Sequence, residues 1–291
     1  MVIQSIGLKK QRAEKPLELT KNQYALILPI GDVHFGAPGF PKDRFISHLQ
    51  WGIERGAYFL GMGEYLDFTS ESQRSVMINL RDSTRASIDD MIKALADEFV
   101  EKIAFTKGRW LGLLKGDHSW TFLDGRNVEQ YIAQKLETNY FGTSCVLRIF
   151  PAGFKNESAD VVLYCHHGVG FSQTLGGQLN RPKDLAFAFD ADIVLMGHSH
   201  AKIIGTIDKQ IITRRGLHYH RTIHIARTGG WFRGYLSHLA YELDKPAIYS
   251  EGTYVEKRGY LPTSIGGLVI GIGYDCIDGT KEYKPLIHMA I

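Results

Sequence analysis

Five short clusters of Asp, Glu, His and Gly punctuate the first 200 residues, and their side chains are those that bind divalent cations and move protons. The first is Gly31-Asp32-Val33-His34-Phe35-Gly36. In an extended loop alternate residues point the same way, so Asp32 and His34 can share one cation while the glycines permit tight turns. Alone, this pattern fits a capped turn with a surface histidine equally well. Gly197-His198-Ser199-His200 is sharper, because two imidazoles one residue apart suit metal coordination and a turn can aim them at neighbouring ions. Gly116-Asp117-His118 and His166-His167-Gly168 each set histidine beside a turn, where it serves as ligand or as acid and base. Gly63-Glu64-Tyr65-Leu66-Asp67 adds two carboxylates, for which a solvated turn or a helix N-cap is the simple alternative. The weight lies in the conjunction, since independent turns do not favour Asp, Glu and His at every one of these positions.

Each cluster closes an apolar run. Residues 24–30, 57–62, 110–114, 161–165 and 193–196 read as buried strands that deliver polar loops at their C-terminal ends. Between them, helical spacing marks 43–55, 85–105 and 128–136, with a short helix at 185–189 and another strand at 146–150. Beyond residue 200, runs at 203–207, 217–225, 239–243 and 268–272 predict a second, mostly antiparallel sheet. Residues 68–84 are Ser- and Arg-rich and lack either period, which suggests a flexible insertion forming part of a cap. No repeat or low-complexity linker divides the chain, so residues 1–291 are expected to form a single domain with residues 231–291 as a C-terminal β-rich extension.

In order and spacing these clusters resemble the calcineurin-like metallophosphoesterase superfamily, whose pattern is G-D-x-H, G-D-x-x-D, G-N-H, an H-G step and G-H-x-H. The resemblance covers roughly residues 24–230. The stretch Thr228-Gly229-Gly230-Trp231-Phe232-Arg233-Gly234-Tyr235 also resembles the tail of phosphoesterases carried by phages and mobile elements. The family implies an α/β fold of two packed β-sheets flanked by helices, with the metal site at the strand ends. It further implies that Asp32, His34 and His200 hold one metal, that Asp117, His167 and His198 hold the other, and that Glu64 bridges them. His118 would be the catalytic acid and Asp67 a supporting carboxylate. His166 is the alternative ligand, but the family's ligand directly precedes the glycine, which favours His167.

Two positions depart from the family pattern: Glu64 replaces a bridging Asp and Asp117 replaces an Asn ligand. The extra charge makes the site less electrophilic, strengthening metal binding and weakening attraction for a phosphate dianion. A diester monoanion, on DNA, RNA or a nucleotide, is then the favoured substrate, unless a more highly charged metal offsets the extra carboxylate. The alternatives are a phosphomonoesterase or protein phosphatase, and a catalytically impaired metal-binding protein. The carboxylate-rich, cysteine-free ligand set suits two divalent ions, Mn²⁺ before Fe, Zn²⁺ or Ni²⁺.

Composition narrows the remaining classes. The net charge of +3 leaves no strong basic footprint, and 44% hydrophobic residues supply a sizeable core. Cys145, Cys165 and Cys276 lie far apart, which suits a reducing compartment; with no visible signal peptide or run of about 18 apolar residues, a bacterial or phage-infected cytosol is expected, with no membrane partner. No Walker-type loop or G-x-S-x-G elbow is present. Arg126, Arg227 and Arg233 follow or flank the motifs and are candidates to contact substrate, and residues 214–224 are basic along one strand. Oligomeric state is not legible.

Overall fold

In the computed structural model the described residues are 2–6, 24–68, 75–150, 160–170, 172–236, 252–276 and 283–291. The strands, in chain order, are β1 (Val2–Ile6), β2 (Ala25–Gly31), β3 (Tyr58–Gly63), β4 (Trp110–Leu114), β5 (Tyr140–Gly142), β6 (Ser144–Phe150), β7 (Val161–His166), β8 (Ile193–Met196), β9 (Lys202–Ile212), β10 (His218–Gly230), β11 (Gly266–Gly267), β12 (Val269–Cys276) and β13 (Tyr283–Ala290). The helices are α1 (Lys42–Glu54), α2 (Asp82–Lys102), α3 (Val128–Lys135), α4 (Leu175–Gln178), α5 (Asn180–Ala188) and α6 (Tyr254–Lys257).

Side-chain alternation along the buried strands sets the layers. Ile27, Leu60, Met62 and Leu111 face Leu147, Leu163, Cys165, Ile193 and Leu195 in a core between two sheets. Their neighbours point the other way. Leu28, Ile30, Phe59 and Leu113 pack against Phe45 and Leu49 of α1, Ile92 and Phe99 of α2 and Ile132 of α3. On the far side, Tyr164, Val194, Ile223 and Ile225 pack with Ala186 of α5. The result is a helix–sheet–sheet–helix sandwich, and the strands read as continuous apolar runs because both faces are covered.

One sheet has the order β1-β6-β7-β8-β10-β11, with β9 also pairing β10; the other has the order β13-β12-β2-β3-β4-β5. Strands β2, β3, β4 and β5 run parallel, as do β7, β8 and β10. Parallel neighbours end at the same edge, so the polar loops after β2, β3 and β4 are brought together, and so are those after β7 and β8.

Strands beyond residue 200 do not form a sheet of their own. β9 and β10 join the sheet of β7 and β8, whereas β12 lies antiparallel to β2 with Ile270 opposite Ile27. Periodicity reveals that a segment is a strand with two buried faces; it carries no information about its partner. β12 and β13 complete the second sheet, while β11 pairs with β10 in the first. The helix expected at 85–105 spans Asp82–Lys102, followed by a 3₁₀ turn at Ala104–Thr106, so residues 82–84 of the expected insertion are helical. Residues 69–74 of that insertion, and the strand expected at 239–243, lie outside the described residues. No helix among the described residues is long and apolar enough to cross a membrane.

Candidate metal centre

The loops that follow five strands converge. β2 delivers Asp32 and His34, β3 delivers Glu64, β4 leads to Asp117 and His118, β7 to His167, and β8 to His198 and His200. The backbone is held to unusual angles there. Asp32, His34, Glu64, His198 and His200 all have positive φ, between 47° and 70°, a left-handed conformation that costs an L residue about 1–2 kcal/mol. Among the described non-glycine residues only Glu137 shares it. Close approach of the loops also requires glycine: a Cβ on Gly116 would lie 2.3 Å from the Glu64 nitrogen.

Two groups of ligand atoms result, each with its members within 4.8 Å of one another: Asp32, His34, Glu64 and His200, and Glu64, Asp117, His167 and His198. Glu64 belongs to both. Its Oε2 lies 3.1 Å from His34 Nε2, and its Oε1 lies 3.4 Å from His167 Nε2. One carboxylate oxygen therefore faces each group. His34 Nε2 is also 3.1 Å from His200 Nε2, which stands 3.8 Å from Asp32 Oδ1. In the second group His198 Nδ1 and Asp117 Oδ2 are 2.9 Å apart. A third set, His34, Asp67 and His118, adjoins the first.

Outer hydrogen bonds orient the imidazoles. His34 Nδ1 lies 3.1 Å from Asp67 Oδ1, and His167 Nδ1 lies 2.7 Å from the Met62 carbonyl. Both acceptors require Nδ1–H, which leaves Nε2 with a lone pair aimed inward, the arrangement typical of metal-bound histidine. His166 is turned elsewhere, since its Nδ1 accepts from the Gly168 amide at 2.8 Å. The double histidine thus contributes His167 to the cluster.

The donor atoms fit divalent cations. Asp32 Oδ1, His167 Nε2 and His198 Nδ1 are buried and make no hydrogen bond of acceptable geometry among the described residues, although unpaired buried polar atoms are costly. Burial, reinforced by the charge of Glu64, pushes the Asp32 carboxyl up to about 7. Burial works to lower His34, yet its bonds to Asp67 and Glu64 prevail and raise it to about 10. Burial would raise Glu64, but the imidazoles of His167 and His34 beside its two oxygens hold it well below the usual carboxylate range. Burial and the charge of His34 lower His200 to about 3, leaving it neutral. In protein alone, protons on histidine balance carboxylates that a cation would otherwise neutralise.

A cavity opens over the first group and is lined by His34, Glu64, His118, His198 and His200. His118 stands edge-on to His34 with ring centroids 5.5 Å apart. The outer wall comes from residues that sequence reasoning passed over: Phe232, Tyr254, Tyr260 and Leu261. A signal existed at Thr253-Tyr254-Val255-Glu256, a capping box that starts α6, within a segment expected to be β-rich. A second cavity is lined by Lys115, Asp117, His166 and His167. Arg126 is engaged with Asp124 and Gln134, and the exposed Arg233 donates its backbone amide to Gly39; neither is among the residues lining these cavities. Arg227 is buried behind the site, donating from Nη1 to the Gly197 carbonyl at 2.8 Å and from Nε to the Gln178 carbonyl at 2.9 Å.

No protein-family model and no curated protein matches the chain. Among solved structures, Vacuolar Protein Sorting 29 from Cryptosporidium parvum aligns over 92% of this chain and 99% of its own, at 15% identity and a TM-score of 0.34. A conserved uncharacterized protein of Streptococcus pneumoniae, described as a predicted phosphoesterase, aligns over 91% of this chain and 98% of its own at 10% identity and a TM-score of 0.34. Vps29 of Chaetomium thermophilum covers 92% and 97% at 10% identity and a TM-score of 0.36. Identities and TM-scores this low say nothing about chemistry, which rests on the chain's own side chains.

Proposed function

We propose that this chain is a dinuclear metal-dependent phosphoesterase of the calcineurin-like kind, hydrolysing phosphodiesters of nucleic acid or nucleotides in a bacterial or phage-infected cytosol. The observation that carries the reading is Glu64, whose two oxygens face two separate ligand groups. Asp32, His34 and His200 would complete one ion's shell, and Asp117, His167 and His198 the other's. Bound there, a pair of divalent cations supplies Lewis acidity toward phosphoryl oxygens and a water of lowered pKa. Mn²⁺ suits the mixed nitrogen and oxygen donors.

The protein's own groups do the rest. Hydrolysis forms one P–O bond to the oxygen of water and breaks the P–O bond to the departing alcohol. His118 gives its proton to the departing oxygen and recovers one that the water has lost. A general acid so placed contributes about 10² to 10⁴ in rate. Three carboxylates, Asp32, Glu64 and Asp117, make the centre poor at attracting a dianion, which favours diester monoanions. The resemblance of residues 228–235 to phosphoesterases of phages and mobile elements supports nucleic acid as the substrate class.

Assay of purified protein with Mn²⁺ against bis-p-nitrophenyl and p-nitrophenyl phosphate, then DNA and RNA, tests this. Diesterase activity lost in His118→Ala with metal content unchanged is expected; activity confined to monoesters would overturn the diester assignment. A second reading, an impaired metal-binding protein, is favoured by the longer Glu64 and the charged Asp117. A large gain in turnover on combining Glu64→Asp with Asp117→Asn would establish it.

A further inference from the structure

The wall of the cavity over the first ligand group is aromatic and uncharged. Phe232 lies against the centre, its ring centroid 5.3 Å from that of His34 and 6.1 Å from that of His200. Tyr254 stacks on Phe232 at 5.8 Å with an interplanar angle of 13°, and it keeps about half of its surface exposed (51%). Tyr260 and Leu261 continue the wall. No Lys or Arg is among the residues described as lining this cavity, so nothing there favours a second phosphate.

This wall is built in advance. Trp231 donates its amide to the Asp32 carbonyl at 2.8 Å, and the Arg233 amide reaches the Gly39 carbonyl at 2.9 Å, which ties residues 231–233 to the Asp32 and His34 loop. The Thr253 hydroxyl donates to the Gly234 carbonyl, and the Leu236 amide to Glu256 Oε2 at 3.0 Å, which fastens α6 to the same segment. Tyr254 therefore presents its ring at a fixed place in the cavity that His34, His118 and His200 also line. A second and polar cavity, with Lys115 and His166, lies against Asp117 and His167 of the other group. A phosphoryl group held between the two would have room for a substituent on each side, and the arm next to His118 would meet the aromatic wall.

We infer that Tyr254, backed by Phe232, is a specificity-determining residue that stacks a planar aromatic ring, the base of a nucleotide, on the ester arm beside His118. The inference rests on the phosphoesterase reading and names its substrate class. Stacking of a base on an aromatic side chain is sequence-tolerant, so any base would serve, whereas an aliphatic arm would gain little.

Calorimetric titration of the Mn²⁺-loaded protein with thymidine 5′-monophosphate, methyl phosphate and inorganic phosphate reads the stacking without turnover. The nucleotide is expected to bind at least about ten-fold more tightly than methyl phosphate. Tyr254→Ala should erase that margin, Tyr254→Phe should keep it, and neither should alter inorganic phosphate. In steady-state assays Tyr254→Ala should raise KM for a dinucleotide about ten-fold with kcat nearly unchanged. Equal affinity for nucleotide and methyl phosphate, or a margin that survives Tyr254→Ala, would overturn the inference while leaving the phosphoesterase reading intact. A chain that binds neither Mn²⁺ nor any of the three ligands would overturn both.

Discussion

His34 Nδ1 sits 3.1 Å from Asp67 Oδ1, which fixes the ring so that Nε2 faces Glu64 and His200. The carboxylate is 41% exposed while the imidazole is buried, so Asp67 reaches in from the surface to orient a group it does not accompany into the interior. Removing such an outer partner typically costs about 10- to 100-fold in metal affinity. Asp67→Ala should show that loss in Mn²⁺ titration, and Asp67→Asn, which keeps an acceptor oxygen, should lose less. Equal losses in both would mean that charge, not orientation, matters at this position.

The left-handed residues give a second prediction. Strain of about 1–2 kcal/mol at His198, with φ at 70°, is sustained because the turn aims the ring at Asp117. Asn tolerates this conformation better than His. His198→Asn should leave the melting temperature of the metal-free protein unchanged or slightly higher, yet weaken Mn²⁺ binding at least about ten-fold. A lower melting temperature with unchanged metal binding would mark His198 as a packing residue.

Arg227 is a third case. Its guanidinium satisfies the carbonyls of Gln178 and Gly197, and the second of these begins the turn that carries His198 and His200. Burial lowers it to about 10, still charged at neutral pH, with Asp32 acting to hold the charge. Arg227→Met would leave the buried Gln178 carbonyl without a donor, at about 1–3 kcal/mol, while the Gly197 carbonyl would keep only the Ser199 amide at 2.9 Å. Urea denaturation should report that loss. A variant as stable as the parent would show that water or a neighbour replaces the donors.

A pH dependence of stability follows from His48 on α1. Burial, aided by Lys202 and Arg44, lowers this imidazole from 6.5 to about 4, and its Nε2 is buried without a partner among the described residues. A depressed histidine is neutral in the folded protein but takes a proton in the unfolded chain, so stability is full above pH 6.5 and falls as pH drops toward 4. The loss is at most about 3 kcal/mol. His48→Leu should flatten the stability profile between pH 6.5 and 4. An unchanged slope would place the acid sensitivity elsewhere.

Much of this arrangement was legible in the sequence because parallel strands end at one edge and each apolar run stopped at a polar cluster. Trp110–Leu114 and Ile193–Met196 have the bounds read from hydropathy alone, and the clusters that follow them lie in the centre. Sheet membership was not legible. Nothing in residues 268–272 reveals that they pair with β2, because that contact depends on a partner far away in the chain. Nor did sequence place Arg126, whose guanidinium is turned to Asp124 and Gln134, or the wall of Phe232 and Tyr254, which forms only when residues 231–236 and α6 are bonded together.

Manganese loading read by electron paramagnetic resonance tests the shared role of Glu64 most directly. Two ions per chain, magnetically coupled through a common carboxylate, are expected in the native protein, and Glu64→Gln should abolish the coupling and release at least one ion. Binding of a single uncoupled ion, or a coupled pair untouched by Glu64→Gln, would contradict a centre built around that residue.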